Sequence, residues 1–209
     1  MTKATELTDD GLLLRMIAGD EEAFTLLYRR RQPAIYRFAL RMSGNASVAE
    51  DVTQEVFMVL IRDAKRFDPT RGTLGGFLFG VARNHLRKRW EHDRRSVPLA
   101  DDSDKFGHPA TTKGEFARGN GDGASASPQD DFASAEIAAR VRGAIATLPE
   151  NYREVAVLCD LEEMSYEEAA AMLDCPVGTI RSRLHRARAI LLEKLREVAE
   201  VRPTSAVNE

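Results

Sequence analysis

Arginine is the residue type in this chain best placed to do chemistry, and it clusters. Arg181, Arg183, Arg186 and Arg188 fall in one short run, Thr179-Ile180-Arg181-Ser182-Arg183-Leu184-His185-Arg186-Ala187-Arg188. At about 100° per residue in a helix, Ile180, Leu184, Ala187, Leu191 and Leu195 share one face and must pack inward. Ser182, His185 and Arg186 then point outward, with Arg181 and Arg183 on the flanks. Guanidinium forks, a hydroxyl and an imidazole near a helix start suit the base edges and phosphates of a DNA major groove. A solvated basic face is the alternative use of the same residues.

A second stripe runs Arg83, Arg87, Trp90 and Arg94, with Lys88, Arg89 and Arg95 beside it. Trp90 is the chain's single tryptophan. An exposed aromatic among cations grips single-stranded nucleic acid by stacking and phosphate neutralisation, whereas a core tryptophan with basic neighbours would do neither. A third surface differs in kind. Asp51, Gln54, Glu55 and Met58 share one helix face, and its acid and amide groups point to a protein partner or to plain solvation rather than to DNA. Nothing suggests catalysis. The four histidines (85, 92, 108, 185) and two cysteines (159, 175) lack metal-ligand spacing, and no phosphate loop or nucleophile motif is present. No enzyme activity, metal or cofactor is expected. Cys159 reads as a small buried hydrophobe, with a thiol switch involving Cys175 as the competing idea.

The elements that must position these groups are helices. Thr8 caps a first helix with Asp9 and Asp10 in its positive first turn, and Gly19 ends it. Asp20 opens a longer one, with Phe24, Leu27, Tyr28, Ile35, Phe38, Ala39 and Met42 on its apolar stripe. Pro33 inside it should kink or interrupt it, and Gly44-Asn45 stop it. Ser47-Val48-Ala49-Glu50 matches a capping box, followed by Val52, Val56, Val59 and Leu60. Asp68-Pro69-Thr70-Arg71-Gly72 breaks the chain before a helix from about Thr73 to Asp93. Gly75, Gly76 and Gly80 near its start suggest mobility or close approach by another backbone. In the second half, Ile137, Val141, Ile145 and Leu148 form one stripe ended by Pro149. Val155, Leu158 and Cys159 form another, Ser165 and Glu168 a second capping box, and Thr179 caps the last helix. No strand pattern appears, so the fold class is all-α.

Composition sets the bounds. The 209 residues are 43% hydrophobic and 30% charged, with a formal net charge of −3. That sum conceals segments of opposite sign: residues 1–96 carry net +4 and residues 97–135 net −4. The segment from Ser96 to Ala133 holds five glycines and three prolines without apolar periodicity, which predicts a flexible acidic linker. The expected division is therefore a helical domain at 1–96, a linker at 97–133 and a helix-turn-helix domain at 134–209. No apolar run approaches a membrane span and the N-terminus lacks a signal-peptide core, so a cytoplasmic protein without membrane insertion is expected.

Several runs resemble one family. Ala49-Glu50-Asp51-Val52-Thr53-Gln54-Glu55-Val56-Phe57 is similar to the polymerase-binding helix of bacterial sigma factors of the sigma-70 class, in the small extracytoplasmic-function (ECF) group. Phe77-Leu78-Phe79-Gly80-Val81-Ala82-Arg83-Asn84 resembles the run into that family's −10-recognition helix, with Phe77 where tryptophan is common. Leu148-Pro149 and Arg153-Glu154-Val155 resemble the start of its fourth domain. Pro176-Val177-Gly178 and the run from Thr179 to Arg188 closely resemble its −35-recognition helix.

The resemblance implies a subunit that binds core RNA polymerase and promoter DNA and assists promoter melting. It assigns Asp51, Gln54, Glu55 and Met58 to polymerase. Arg71, Thr73, Arg83, Asn84, Arg87, Lys88 and Trp90 go to the −10 element, and Thr179, Arg181, Ser182, Arg183, His185 and Arg186 to the −35 element. It also implies an anti-sigma factor as a partner, with the free protein a monomer. The competing expectation is a dimeric helix-turn-helix regulator that binds operator DNA. A local idea is that the acidic linker folds over the basic faces of the free protein.

Overall fold

The computed structural model describes residues 8–96 and 128–200, and every regular element among them is helical. The expected linker falls mostly outside the described residues, and with it the idea that it folds over the basic faces. The first helix after it begins at Pro128. Proline suits a helix's first turn.

The first half holds α1 (Asp9–Ile17), α2 (Glu21–Ser43), α3 (Ala46–Asp63), a 3-10 turn at Ala64–Arg66 and α4 (Leu74–Ser96). α2 is the central element, packing on α1, α3 and α4. Leu27, Ile35, Phe38 and Met42 of α2 are buried against Val56 and Leu60 of α3 and Leu78 and Leu86 of α4. Phe38 meets Phe79 edge-on, centroids 5.3 Å apart. Two side chains cap as expected: Thr8 Oγ1 accepts from the Gly11 amide at 3.2 Å, and Asp20 Oδ1 from the Ala23 amide at 3.0 Å.

Three local expectations are corrected. Pro33 does not end α2, which runs through it. The proline is exposed, so the Arg29 carbonyl it leaves unpaired can be hydrated. The cap of α3 is Asn45, whose Oδ1 accepts from the Val48 amide at 3.1 Å, and Ser47 already lies inside the helix. Gly44 decides that register: it ends α2 in the left-handed region at φ 68°, so the next turn opens at Asn45. Tyr28 is exposed rather than part of the buried stripe.

The second half holds α5 (Pro128–Ala146), α6 (Glu150–Ala156) continuing into a π-turn at Val157–Leu161, α7 (Tyr166–Leu173) and α8 (Val177–Glu200). Its core is Leu148, Val155, Leu158, Ala169, Ile180, Leu184 and Ala187. The Ser165–Glu168 capping box is present. Ile137 is exposed, so the stripe of α5 begins to pack only at Val141. Thr179 does not cap α8 but sits in its first turn, with the Pro176 carbonyl accepting from the Thr179 amide at 2.8 Å. The two halves lie against each other through α4 with α7 and α2 with α5.

Candidate nucleic-acid and protein interfaces

α7, the turn through Asp174 and Cys175, and α8 build the first interface. Asp174 takes the left-handed conformation at φ 50°, turning the chain sharply between the helices. Ile180, Leu184 and Ala187 anchor α8, being at most 2% exposed. That anchoring leaves Arg181, Ser182, His185 and Arg186 exposed together, with Arg183 and Thr179 half-buried at the edges. Ser182 Oγ donates to the Thr179 carbonyl at 3.0 Å, and Arg186 Nη1 reaches the Tyr152 hydroxyl at 3.4 Å. Arg188 belongs elsewhere: it holds the Asp160 carboxylate through Nε at 3.1 Å and Nη2 at 2.5 Å, an ion pair that raises its pKa.

The second interface lies at the start of α4. Thr73 Oγ1 accepts from the Gly76 amide at 3.1 Å and so holds the helix start. The loop before it is tied by Asp68, whose carboxylate accepts from the Thr70 hydroxyl at 2.7 Å and amide at 2.9 Å. Those bonds hold the Asp68 carboxyl below its usual pKa. Loop and helix enclose an open cleft of about 400 Å³ walled by Arg66, Arg71, Phe77, Asn84 and, from the second half, Glu168 and Met172. Phe67 and Phe77 meet at its side with their rings tilted by 57° and 5.8 Å between centroids.

Asn84, Arg87 and Lys88 are exposed along α4, as are Arg71 and Thr73 in the loop. Trp90 departs from the exposed aromatic expected: it is half-buried and packs on the core. Close approach, by a side chain rather than a backbone, is found at Gly75, while Gly80 has room for a Cβ at ordinary contact distance. A Cβ at Gly75 would lie 3.2 Å from the Arg31 guanidinium, and one at Gly80 would lie 3.7 Å from Met172 of α7.

Arg83 is half-buried and paired. Its Nε and Nη2 donate to the two Glu154 oxygens at 2.6 and 3.2 Å, across the seam between halves. The same seam carries Thr73 Oγ1 donating to Glu168 at 2.9 Å and Arg37 donating to Glu162 at 3.1 Å. Arg41 pairs with Glu162 as well. Arg153 donates to the Met42 carbonyl at 3.0 Å. Burial raises the Glu162 carboxyl above its usual pKa despite its two arginines, and lowers the Arg41 and Arg153 guanidinium groups from theirs. Burial also works to raise Glu168, but bonds from Thr73 and Ser165 outweigh it and leave a net lowering.

The third surface is on α3, where Asp51, Gln54, Glu55 and Met58 are all exposed. Asp51 accepts from Arg89 Nη1 of α4 at 3.1 Å. Gln54 and Met58 border a groove floored by Phe24, Tyr28, Phe57 and Ile61.

Residues 27–96 match the family model described as Sigma-70 region 2, and residues 138–191 match Sigma-70, region 4. The chain belongs to the ECF sigma factors. It is 33% identical over 190 residues to the RNA polymerase sigma-H factor of Pseudomonas aeruginosa, covering 88% of this chain and 92% of that one. To the ECF RNA polymerase sigma factor SigE of Mycolicibacterium smegmatis it is 33% identical over 173 residues, 81% of this chain and 60% of that protein. Among solved structures, the sigma factor RpoE from Bartonella quintana, determined with its anti-sigma factor NepR, superposes with a TM-score of 0.57 at 28% identity, over 83% of this chain and 96% of that one.

In this sigma factor the sequence-predicted −35 residues come together on one exposed face of α8. The −10 residues divide: Arg71, Asn84, Arg87 and Lys88 are exposed, Thr73 is exposed but bonded to Glu168, Arg83 is held by Glu154, and Trp90 is packed. Sequence reasoning missed Tyr28 and Ile61, 39% and 54% exposed beside Met58. Tyr28 leaves the apolar stripe expected of α2 and Ile61 lies outside that of α3, and only the helix pairing reveals that the two sit together. It also missed the acids of the seam, because Glu154 lies far in sequence from the arginine it meets. No helix among the described residues is long and apolar enough to cross a membrane.

Proposed function

We propose a division of labour within a sigma factor that directs promoter-specific transcription initiation by RNA polymerase. α8 reads the −35 element as duplex, with Arg181 and Arg186 at base edges and phosphates and Ser182, His185, Thr179 and Arg183 beside them. The observation that carries this role is the exposed outer face of α8 set on a buried apolar one. Arg71, Thr73 and Asn84 at the cleft capture unstacked bases of the −10 element beside Phe67 and Phe77, while Arg83, Arg87 and Lys88 of α4 take the phosphates. Trp90 supports that helix from beneath.

Asp51, Gln54, Glu55 and Met58, with Tyr28 and Ile61 beside them, receive core polymerase. An acid and amide rim around exposed apolar side chains fits a protein partner better than DNA. By likeness to relatives solved with anti-sigma factors, one such protein controls this chain. The protein acts in the cytoplasm and supplies no catalytic step; polymerase makes the RNA.

In-vitro transcription tests this. Core polymerase plus this protein should initiate at promoters mapped after its overexpression, with no other sigma factor present. Arg181→Ala and Arg186→Ala should each lower initiation by roughly tenfold, in line with about 1–3 kcal/mol for a guanidinium at a base edge. No specific initiation at any mapped promoter would sink the proposal.

A further inference from the structure

Arg188 follows Arg181 by seven positions, which puts it on the same flank of α8 about 10 Å further along the helix. By position alone it is as available to DNA as Arg181, yet it is bound elsewhere. Its Nε and Nη2 hold the two Asp160 oxygens at 3.1 and 2.5 Å, and Tyr166 at the start of α7 bonds the same guanidinium. Asp160 lies in the π-turn, which the Glu162 amide closes by donating to the Val157 carbonyl at 3.0 Å. A π-turn breaks the α-helical phase and so re-aims the side chains it carries. On the opposite flank of α8, Arg186 reaches the Tyr152 hydroxyl of α6 at 3.4 Å. Between the two arginines Ala187 is 0% exposed, so α8 is held on both sides of a buried point.

We propose that Asp160 and Arg188 are positioning residues for the −35 element. Arg188 touches no promoter DNA; the pair fixes the rotation of α8 so that Arg181, Ser182, His185 and Arg186 meet the groove together. A guanidinium fork on a carboxylate is planar and two-pointed, so it sets an angle, where a point charge sets only a distance. The side chains of the pair are 57% and 30% exposed, a setting in which an ion pair adds little stability. Its worth is geometric, because contacts to base edges tolerate little misplacement. The proposal rests on the assignment of α8 to the −35 element.

Holoenzyme reconstituted from core polymerase and the full chain is titrated with two promoter fragments. One carries a promoter mapped after overexpression, the other the same promoter with its −35 element scrambled. The ratio of the two affinities reports −35 reading. Asp160→Asn removes an acid beside α8, so charge alone would tighten binding to both fragments and leave the ratio unchanged. The clasp predicts a ratio lowered by about tenfold, the discrimination carried by one well-placed guanidinium. Arg188→Lys keeps a cation for any phosphate but loses the fork, and should lower the ratio about as far. The urea midpoint should stay nearly unchanged in both variants.

A wild-type ratio retained by either variant overturns the proposal. A lowered ratio with an earlier urea midpoint in both variants makes the pair a structural support of the domain, and overturns it too. A wild-type ratio near one overturns instead the assignment of α8 to the −35 element, whatever the variants do.

Discussion

The Cys159 thiol is half-buried at the π-turn after α6, and burial, then the neighbouring Asp160 carboxylate, push its pKa up to about 11. At pH 8 about 0.1% of such a thiol is thiolate, against roughly a quarter of an unperturbed one. In a Cys175→Ser background, iodoacetamide should therefore label Cys159 about a hundredfold more slowly than a peptide thiol at pH 8. The rate should climb about tenfold per pH unit toward pH 11. Labelling at the peptide rate would show that the turn opens readily and would revive a redox role. The arginines teach the same dependence on surroundings. Arg83, Arg186 and Arg188 look alike in sequence, yet one is capped by Glu154, one touches only the Tyr152 hydroxyl and one is bound to Asp160.

Among elements, α3 shows how a correct motif can sit in the wrong register. Ser47-Val48-Ala49-Glu50 satisfies the capping-box pattern, but Asn45 makes the cap because Gly44 has already ended α2. Asn45→Ala should cost about 1 kcal/mol of stability in urea unfolding, and Ser47→Ala should stay within about 0.5. Equal losses at both positions would contradict the assigned cap. The helices themselves were legible because spacings of three and four record which faces must leave water, and that record is local. The continuity of α2 through Pro33 and the exposure of Ile137 were not legible for a complementary reason. Whether a helix tolerates a proline, or buries its first apolar residue, depends on what lies beside it.

At the scale of the whole molecule, the two halves share a continuous apolar cluster and a seam of charged ties. A protease site inserted near residue 112 should leave the cleaved halves co-eluting at low salt, because the seam does not need the covalent link. High salt should weaken the association without abolishing it, since ties such as Arg37–Glu162 are partly screened while the shared apolar cluster is not. Separation at low salt immediately after cleavage would mean that the linker, not the seam, keeps the halves together. The net charge of −3 takes on a physical meaning here. Some of the acids that cancel the basic clusters lie directly on them, as Glu154 does on Arg83, Asp51 on Arg89 and Asp160 on Arg188.

The sequence alone determined the all-α class, two helical halves, the outward face of α8 and the acid and amide face of α3. Each follows from residues within a few turns of one another, where helical geometry fixes what shares a face. The tertiary structure decided which cations remain available. Arg83 and Glu154 meet although they stand 71 positions apart in sequence. No local periodicity encodes that meeting, since the energy of an ion pair depends on distance and burial in space.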